Sequence, residues 1–382
     1  DAYPVLLAEQ MGTPFNSPLL AGDGCPPPLI NPLTGERAGS SPCGLRQNPP
    51  ARLNNVAVPG SAVADLLDNN APRNNANTLT QLFLGGRTQV EAAAEANPTF
   101  VTIWTGNNDV LNAAFAGVVT PETVTSVSDF EARYKSALDT LEEAGAQGGV
   151  LYGVSDVTLI PHFSAGAAYA QAAQSGQLPT SFQVGNQCAT TNVLVPFRYG
   201  GALLQTAQVQ DGLLQLQNQL DALQEETGIN IPSYVANEPT ILQCGSPQPL
   251  GEVVAPIRSE VRSFKNEITS LIENLEAQLE DDSLTDDERA AIEGAVSTLT
   301  EAQQAISEGD SALTSVLEEG ADLSILAQDE VALVRSRVDA YNSFIQQEAD
   351  AREWVYQPIN PTLNELRESG DILPFPNFSD PS

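Results

Sequence analysis

Two short stretches of this chain hold residue types suited to stabilising negative charge that develops on an oxygen. In the first, Asn54-Asn55-Val56-Ala57-Val58-Pro59-Gly60-Ser61-Ala62-Val63, an apolar run of strand length meets a glycine turn and passes into helix-like sequence. Glycine at such a turn lets the main chain approach a substrate oxygen and aim its N–H outward. In the second, Phe100-Val101-Thr102-Ile103-Trp104 ends in the polar turn Gly106-Asn107-Asn108-Asp109. An asparagine there donates a side-chain N–H without titrating. Each stretch alone also suits an ordinary capped strand-to-helix turn. The single histidine, His162, follows Pro161 at the end of a strand-like segment and reads as a structural or substrate-side residue. A serine hydroxyl without a base beside it is a weak nucleophile.

The elements that must position these turns are legible as alternating periods. Apolar runs at 55–58, 100–104, 149–153 and 354–359 have strand length, and helix-like segments at 88–96 and 129–144 lie between several of them. Strands alternating with helices predict a parallel sheet with crossover helices, and such sheets bind ligands at the carboxyl ends of their strands. Residues 14–52 carry many Pro, Gly and Asn and read as a long loop. From about 203 to 326 the composition shifts to Gln, Glu, Leu and Ala with helical spacing. Ile257, Val261, Phe264, Ile268, Leu271 and Leu275 step as a heptad seam, which Ile292, Val296, Leu299, Ile306, Leu313 and Leu317 continue beyond a polar turn. Two antiparallel helices follow, and Thr285 with Glu288 has the spacing of a capping box before the second. Further helices are expected at 203–226 and 328–351. The seam suits a lid or partner-binding arm, or simply an insertion that packs on itself. The expected organisation is a core over 1–202, an inserted helical region over 203–326, and the last helix and strand of the core over 327–382.

Composition narrows the partners. The 382 residues include 49 acidic and 16 basic side chains, a formal charge of -33, and the only lysines are Lys135 and Lys265. That balance argues against nucleic acid and against anionic lipid headgroups, both of which need a basic footprint. It suits a chain that stays soluble in concentrated salt, and equally an ordinary acidic secreted protein. The cysteines form two local pairs, Cys25 with Cys43 and Cys188 with Cys244, without metal-binding spacing. Four cysteines allow three connectivities, among which sequence does not choose, but disulfides fit better than zinc and imply an oxidising, extracytoplasmic compartment. No run of about 18 apolar residues is present to span a bilayer.

At this point the sequence resembles the SGNH (GDSL-like) hydrolases. The segment around Gly60 is similar to that family's second signature block, and Gly106-Asn107-Asn108-Asp109 resembles its Gly-x-Asn-Asp block. Asp156-Val157-Thr158-Leu159-Ile160-Pro161 looks like the segment after the fourth strand, and Tyr341-Asn342 leading to Trp354 looks like the last helix and strand. The resemblance implies a flavodoxin-like three-layer α/β/α core carrying an inserted helical hairpin or bundle. It also implies ester hydrolysis through a Ser-His-Asp triad without metal or organic cofactor, on a small-molecule or lipid-like ester. Gly60 and Asn108 would supply two of three oxyanion donors, Asn107 would be the variable position, and Asp109 would brace the turn.

The departures are as informative. No Gly-Asp-Ser precedes the helix-like Val5 to Gly12, and the triplet Gly309-Asp310-Ser311 lies inside the heptad region, where it reads as coincidence. No Asp-x-x-His follows the last strand segment. The expectation is that nucleophile, base and first strand lie outside these residues, so that the chain alone is inactive and folds poorly without its central strand. The competing readings are a surface protein using the helical arm, and a carbohydrate acetyl esterase on the same fold.

Overall fold

The computed structural model describes residues 3–17, 29–31, 36–37, 52–68, 84–246 and 248–372. Cys25 and Cys43 lie outside the described residues. In chain order the helices are α1 (Tyr3–Gln10), α2 (Gln89–Glu95), α3 (Asn108–Ala116), α4 (Val127–Glu143), α5 (Gly166–Gln174), α6 (Phe197–Thr227), α7 (Leu250–Gln278), α8 (Asp286–Gly320), α9 (Gln328–Ala351) and α10 (Asn360–Glu368). The strands are β1 (Leu29–Asn31), β2 (Glu36–Arg37), β3 (Phe100–Ile103), β4 (Gly148–Tyr152), β5 (Phe163–Ala165), β6 (Phe182–Val184), β7 (Leu194–Pro196), β8 (Thr240–Leu242) and β9 (Val355–Gln357). The chain divides into two compact units, one comprising Asp1–Ile30, Glu36–Pro161 and Asp329–Pro374, the other Asn31–Gly35, His162–Gln328 and Phe375–Ser382. The expected boundary at 202/203 lies within the His162–Gln328 stretch of the second unit.

The first unit is an α/β structure around a parallel sheet of order β3-β4-β9. Phe100 pairs with Gly148 and Val150 with Val355, and both ladders are parallel. One sheet face is packed by α4 and α9. Helix α4 starts where the Ser126 side chain accepts from Asp129 N, and it buries Phe130, Tyr134, Ala137, Leu138 and Leu141. Helix α9 buries Val331, Val334, Val338, Tyr341, Ile345 and Ala349 at steps of three or four. Phe130 and Tyr341 stack at 4.0 Å between ring centroids. Arg352 ties the end of α9 to α4, reaching Asp139 at 2.5 Å and Glu142 at 2.8 Å.

The other face of the same sheet is thinly covered. Period-two alternation puts Phe100, Thr102 and Trp104 on it with Val150, Tyr152 and Val355. Tyr3 of α1 packs there against Trp104 and Tyr152. Phe100 is 41% exposed, Trp104 46% and Val355 56%, although the run Phe100 to Trp104 is apolar at every position but Thr102, as in a strand buried on both faces. The apolar run 55–58, expected as a strand, joins no ladder among the described residues. It lies instead as irregular chain, with Val58 packed in a small cluster beside Leu53, Leu84 and Ala92. Strand propensity is realised only where a partner strand is within reach; among the described residues 55–58 meets only an isolated contact, Asn55 N donating to Asn16 O at 3.3 Å.

The second unit is mainly helical. Strands β5 and β7 pair antiparallel and β6 and β8 parallel, and a Cys188–Cys244 disulfide joins the segment after β6 to the segment after β8. Helices α7 and α8 form an antiparallel hairpin with α6 packed beside it. Ile257, Val261, Phe264, Ile268, Ile272 and Leu275 are buried against Leu299, Ile306 and Leu313. Ile272, rather than the expected Leu271, fills the seam. A straight helix drifts against the heptad, so Leu271 is left half-buried at its rim. Thr285 and Glu288 make the capping box that starts α8. Helix α6 begins at Phe197 rather than 203, because Pro196 suits the position before the first turn and Gly200 is accommodated where a Cβ would collide with the Tyr169 hydroxyl. The Gly309-Asp310-Ser311 triplet is interior to α8, where Asp310 accepts from Arg258 Nε at 3.1 Å and Arg262 Nε at 3.0 Å.

Candidate active site

Gly60 ends the 55–58 run with φ +80°, and a Cβ built on it would meet nothing within 4 Å. Glycine is thus required by backbone conformation and not by crowding. Ser61 N donates to Val58 O at 3.2 Å to close this turn, and the Gly60 N–H makes no hydrogen bond to another described residue. Gly106 is different in kind. Its φ is +110° and a Cβ would lie 2.5 Å from Val154 Cγ2 and 3.0 Å from the Phe130 ring, so the turn after β3 presses directly on the core.

The two turns meet. Asn108 Nδ2 donates to Ser61 O at 2.8 Å. One residue on, Asp109 Oδ2 accepts from Val63 N at 2.9 Å. Asn108 is the first residue of α3, which fixes its backbone, and its hydrogen bond to Ser61 fixes its amide. A carboxamide has two N–H donors, so engaging one aims the other. Asp65 Oδ2 accepts from Ala62 N at 2.8 Å, and burial raises the Asp65 pKa against the lowering effect of that bond. Gln89 Nε2, at the start of α2, donates to Ser61 Oγ at 2.8 Å.

On its other side the β3 turn is tied to the chain leaving β4. Asn107 Oδ1 accepts from Ser155 N at 2.9 Å. Asn342 Oδ1 accepts from Val154 N at 2.6 Å while its Nδ2 donates to Val154 O at 2.9 Å. Asn360 Oδ1 accepts from Asp156 N at 2.7 Å. Three asparagines from different elements therefore satisfy the backbone of residues 154–156, which the sheet ladder no longer serves. Asp156 itself accepts from Thr158 N at 2.9 Å and pairs with Arg335 at 3.4 Å, a turn-capping arrangement.

Of the residues singled out from sequence, Gly60, Asn108 and Asp109 are brought into one neighbourhood. His162 belongs to the second unit, where its ring lies against Phe163 and Phe197. Burial, with the nearby Arg198 charge, pushes its pKa down to about 4. Sequence reasoning missed Gln89, Asn360 and the tie made by Asn107. The available signal was a polar residue at the edge of a helix or strand whose neighbours are apolar, which by itself does not name the partner.

A parallel sheet in which the helix-starting Asn108 beyond β3 bonds the residue after the positive-φ Gly60 suits substrate binding over the strand ends. The sequence model of the GDSL-like lipase/acylhydrolase family matches residues 7–197, and the chain belongs to that family. The match ends where α6 begins, so most of the helical unit lies outside it. Neither a curated protein nor a solved structure matches the chain significantly. Among the described residues no helix is long and apolar enough to cross a membrane.

Proposed function

We propose that the chain is the oxyanion-binding body of a carboxylic ester hydrolase that acts, in the intact protein, through a Ser-His-Asp triad. The observation that carries this reading is the 2.8 Å bond from Asn108 Nδ2 to Ser61 O, which sets the amide beside the outward-facing Gly60 turn. As an acyl carbonyl is attacked, its oxygen gains charge. On this reading the Gly60 N–H and the second N–H of Asn108 receive it, each donor stabilising the transition state by about 3 kcal/mol. The serine's own N–H would be the third donor. Histidine would take the serine proton and return it to the leaving alcohol, with a carboxylate orienting the ring. A further strand carrying the nucleophile would suit the edge of β3, which pairs with no strand but β4 among the described residues and has a half-exposed apolar face. On this reading the 382 residues alone are inactive.

The Cys188–Cys244 disulfide supports an extracytoplasmic setting. We assign the helical region from 203 to 326 as an insertion between the two parts of the core. Its apolar seam is consumed inside the hairpin, which weighs against an arm that waits for a partner helix. Acetylated carbohydrate is the other substrate class open to the same chemistry. Asn108→Ala in the intact protein should lower kcat on a chromogenic short-chain ester by about a hundredfold or more while leaving the unfolding midpoint in place. An unchanged rate would refute the assignment, and comparing acetylated sugars with longer acyl esters separates the substrate classes.

A further inference from the structure

We infer that Gln89 is a positioning residue for the oxyanion site and acts through Ser61; the inference rests on the hydrolase reading above. Ser61 holds one proposed donor and adjoins the other in the chain. Its nitrogen follows Gly60 in the chain, and its carbonyl holds the Asn108 amide at 2.8 Å. Its side chain is held in turn by Gln89 Nε2 at 2.8 Å. Gln89 is only 8% exposed, so water competes poorly for this bond. Its own position is set at the first residue of α2, where Thr88 and Glu91 form a capping box: Glu91 N donates to Thr88 Oγ1 at 3.1 Å and Thr88 N to Glu91 Oε2 at 2.8 Å. A capped helix start thus reaches across 28 positions of sequence to hold the side chain of the residue that carries the Asn108 acceptor and follows Gly60.

The other ties on this segment act elsewhere. Asp65 and Asp109 hold the nitrogens of Ala62 and Val63, past the point where the donors are set. Without Gln89 the Ser61 peptide keeps its turn bond to Val58 but loses its lateral stop. Donors loosened by a fraction of an ångström still bind the ground-state ester but fit the developing oxyanion less well, and the loss appears in kcat rather than KM.

The test uses the intact protein and a chromogenic short-chain ester. Gln89→Met keeps the volume of the buried slot and removes the donor. The expected result is a fall in kcat of about tenfold with KM changed less than about twofold, and a matching loss of affinity for a boronic-acid mimic of the tetrahedral state. In an Asn108→Ala background the same substitution should have little further effect, since the group through which it acts is gone. Ser61→Ala, at a half-exposed site, removes the acceptor and should reproduce the kcat loss even where Gln89→Met folds badly. Wild-type kcat in Gln89→Met or Ser61→Ala, or losses that multiply with Asn108→Ala, would overturn the inference alone. An Asn108→Ala enzyme of undiminished rate would overturn the hydrolase reading and the inference with it.

Discussion

In the first unit the segment from Gly60 to Val63 is held by directed hydrogen bonds with Gln89, Asn108, Asp65 and Asp109. In the second unit the hairpin of α7 and α8 is held by an apolar seam, with polar contact concentrated at Asp310 and at the 2.7 Å bond from Gln303 Nε2 to Thr269 Oγ1. The seam is non-directional and spreads its stabilisation over many residues. The hydrogen bonds around Gly60 add little net stability but define where two donors point. A site needs direction and an insertion needs only cohesion. Substitutions in the two regions should therefore separate activity from stability.

The largest expected effect is the Asn108→Ala loss of about a hundredfold or more in turnover, with thermal unfolding scarcely moved. The mirror experiment is Leu299→Ala, at a fully buried seam position of α8. Calorimetry or denaturant titration should show about 2–5 kcal/mol of destabilisation, with kcat per folded molecule unchanged. A large kcat defect in that variant would make the hairpin part of the catalytic device. Next comes Cys188→Ser with Cys244→Ser, which opens a bridge between residues separated by 56 positions. The expected cost is about 2–4 kcal/mol, read as a shift in unfolding midpoint.

Asp310→Ala should cost less, about 1–3 kcal/mol. Its carboxylate is 13% exposed and faces Arg258, Arg262 and, at 4.0 Å, Lys265, so removal leaves like charges side by side. Midpoints measured at rising salt should converge on wild type if repulsion is the cause. The effect that is smallest at neutral pH concerns His162. Its folded pKa of about 4 lies below the ordinary 6.5, so the unfolded chain binds the proton more readily. The stabilisation from keeping it neutral is complete above about pH 6.5 and is lost as pH falls toward 4. His162→Asn should remove that part of the pH dependence, seen as a difference between variant and wild type, since the many carboxylates titrate in both.

Period and punctuation carried much of this protein into view before any coordinates. The repeat of three and four along 257–275, the Thr285 to Glu288 spacing and the helix at 328–351 depend on neighbours close in sequence, and they form as expected. Gly60 and Gly106-Asn107-Asn108-Asp109 were legible as turns for the same reason. What these turns do to one another was not. The 2.8 Å contact of Asn108 with Ser61 joins residues 47 positions apart, and the ties from Asn342 and Asn360 to the β4 turn cross 188 and 204.

Local sequence determined which segments become helix, strand or turn, because capping, backbone conformation and amphipathic spacing act over a few residues. Tertiary structure alone decided that 55–58 joins no ladder among the described residues, that Asp310 meets Arg258 and Arg262, and that Gln89 meets Ser61. Those outcomes depend on which distant backbone or side chain arrives within hydrogen-bond reach. A directed bond of about 3 Å is formed or missed by displacements that no sequence period encodes.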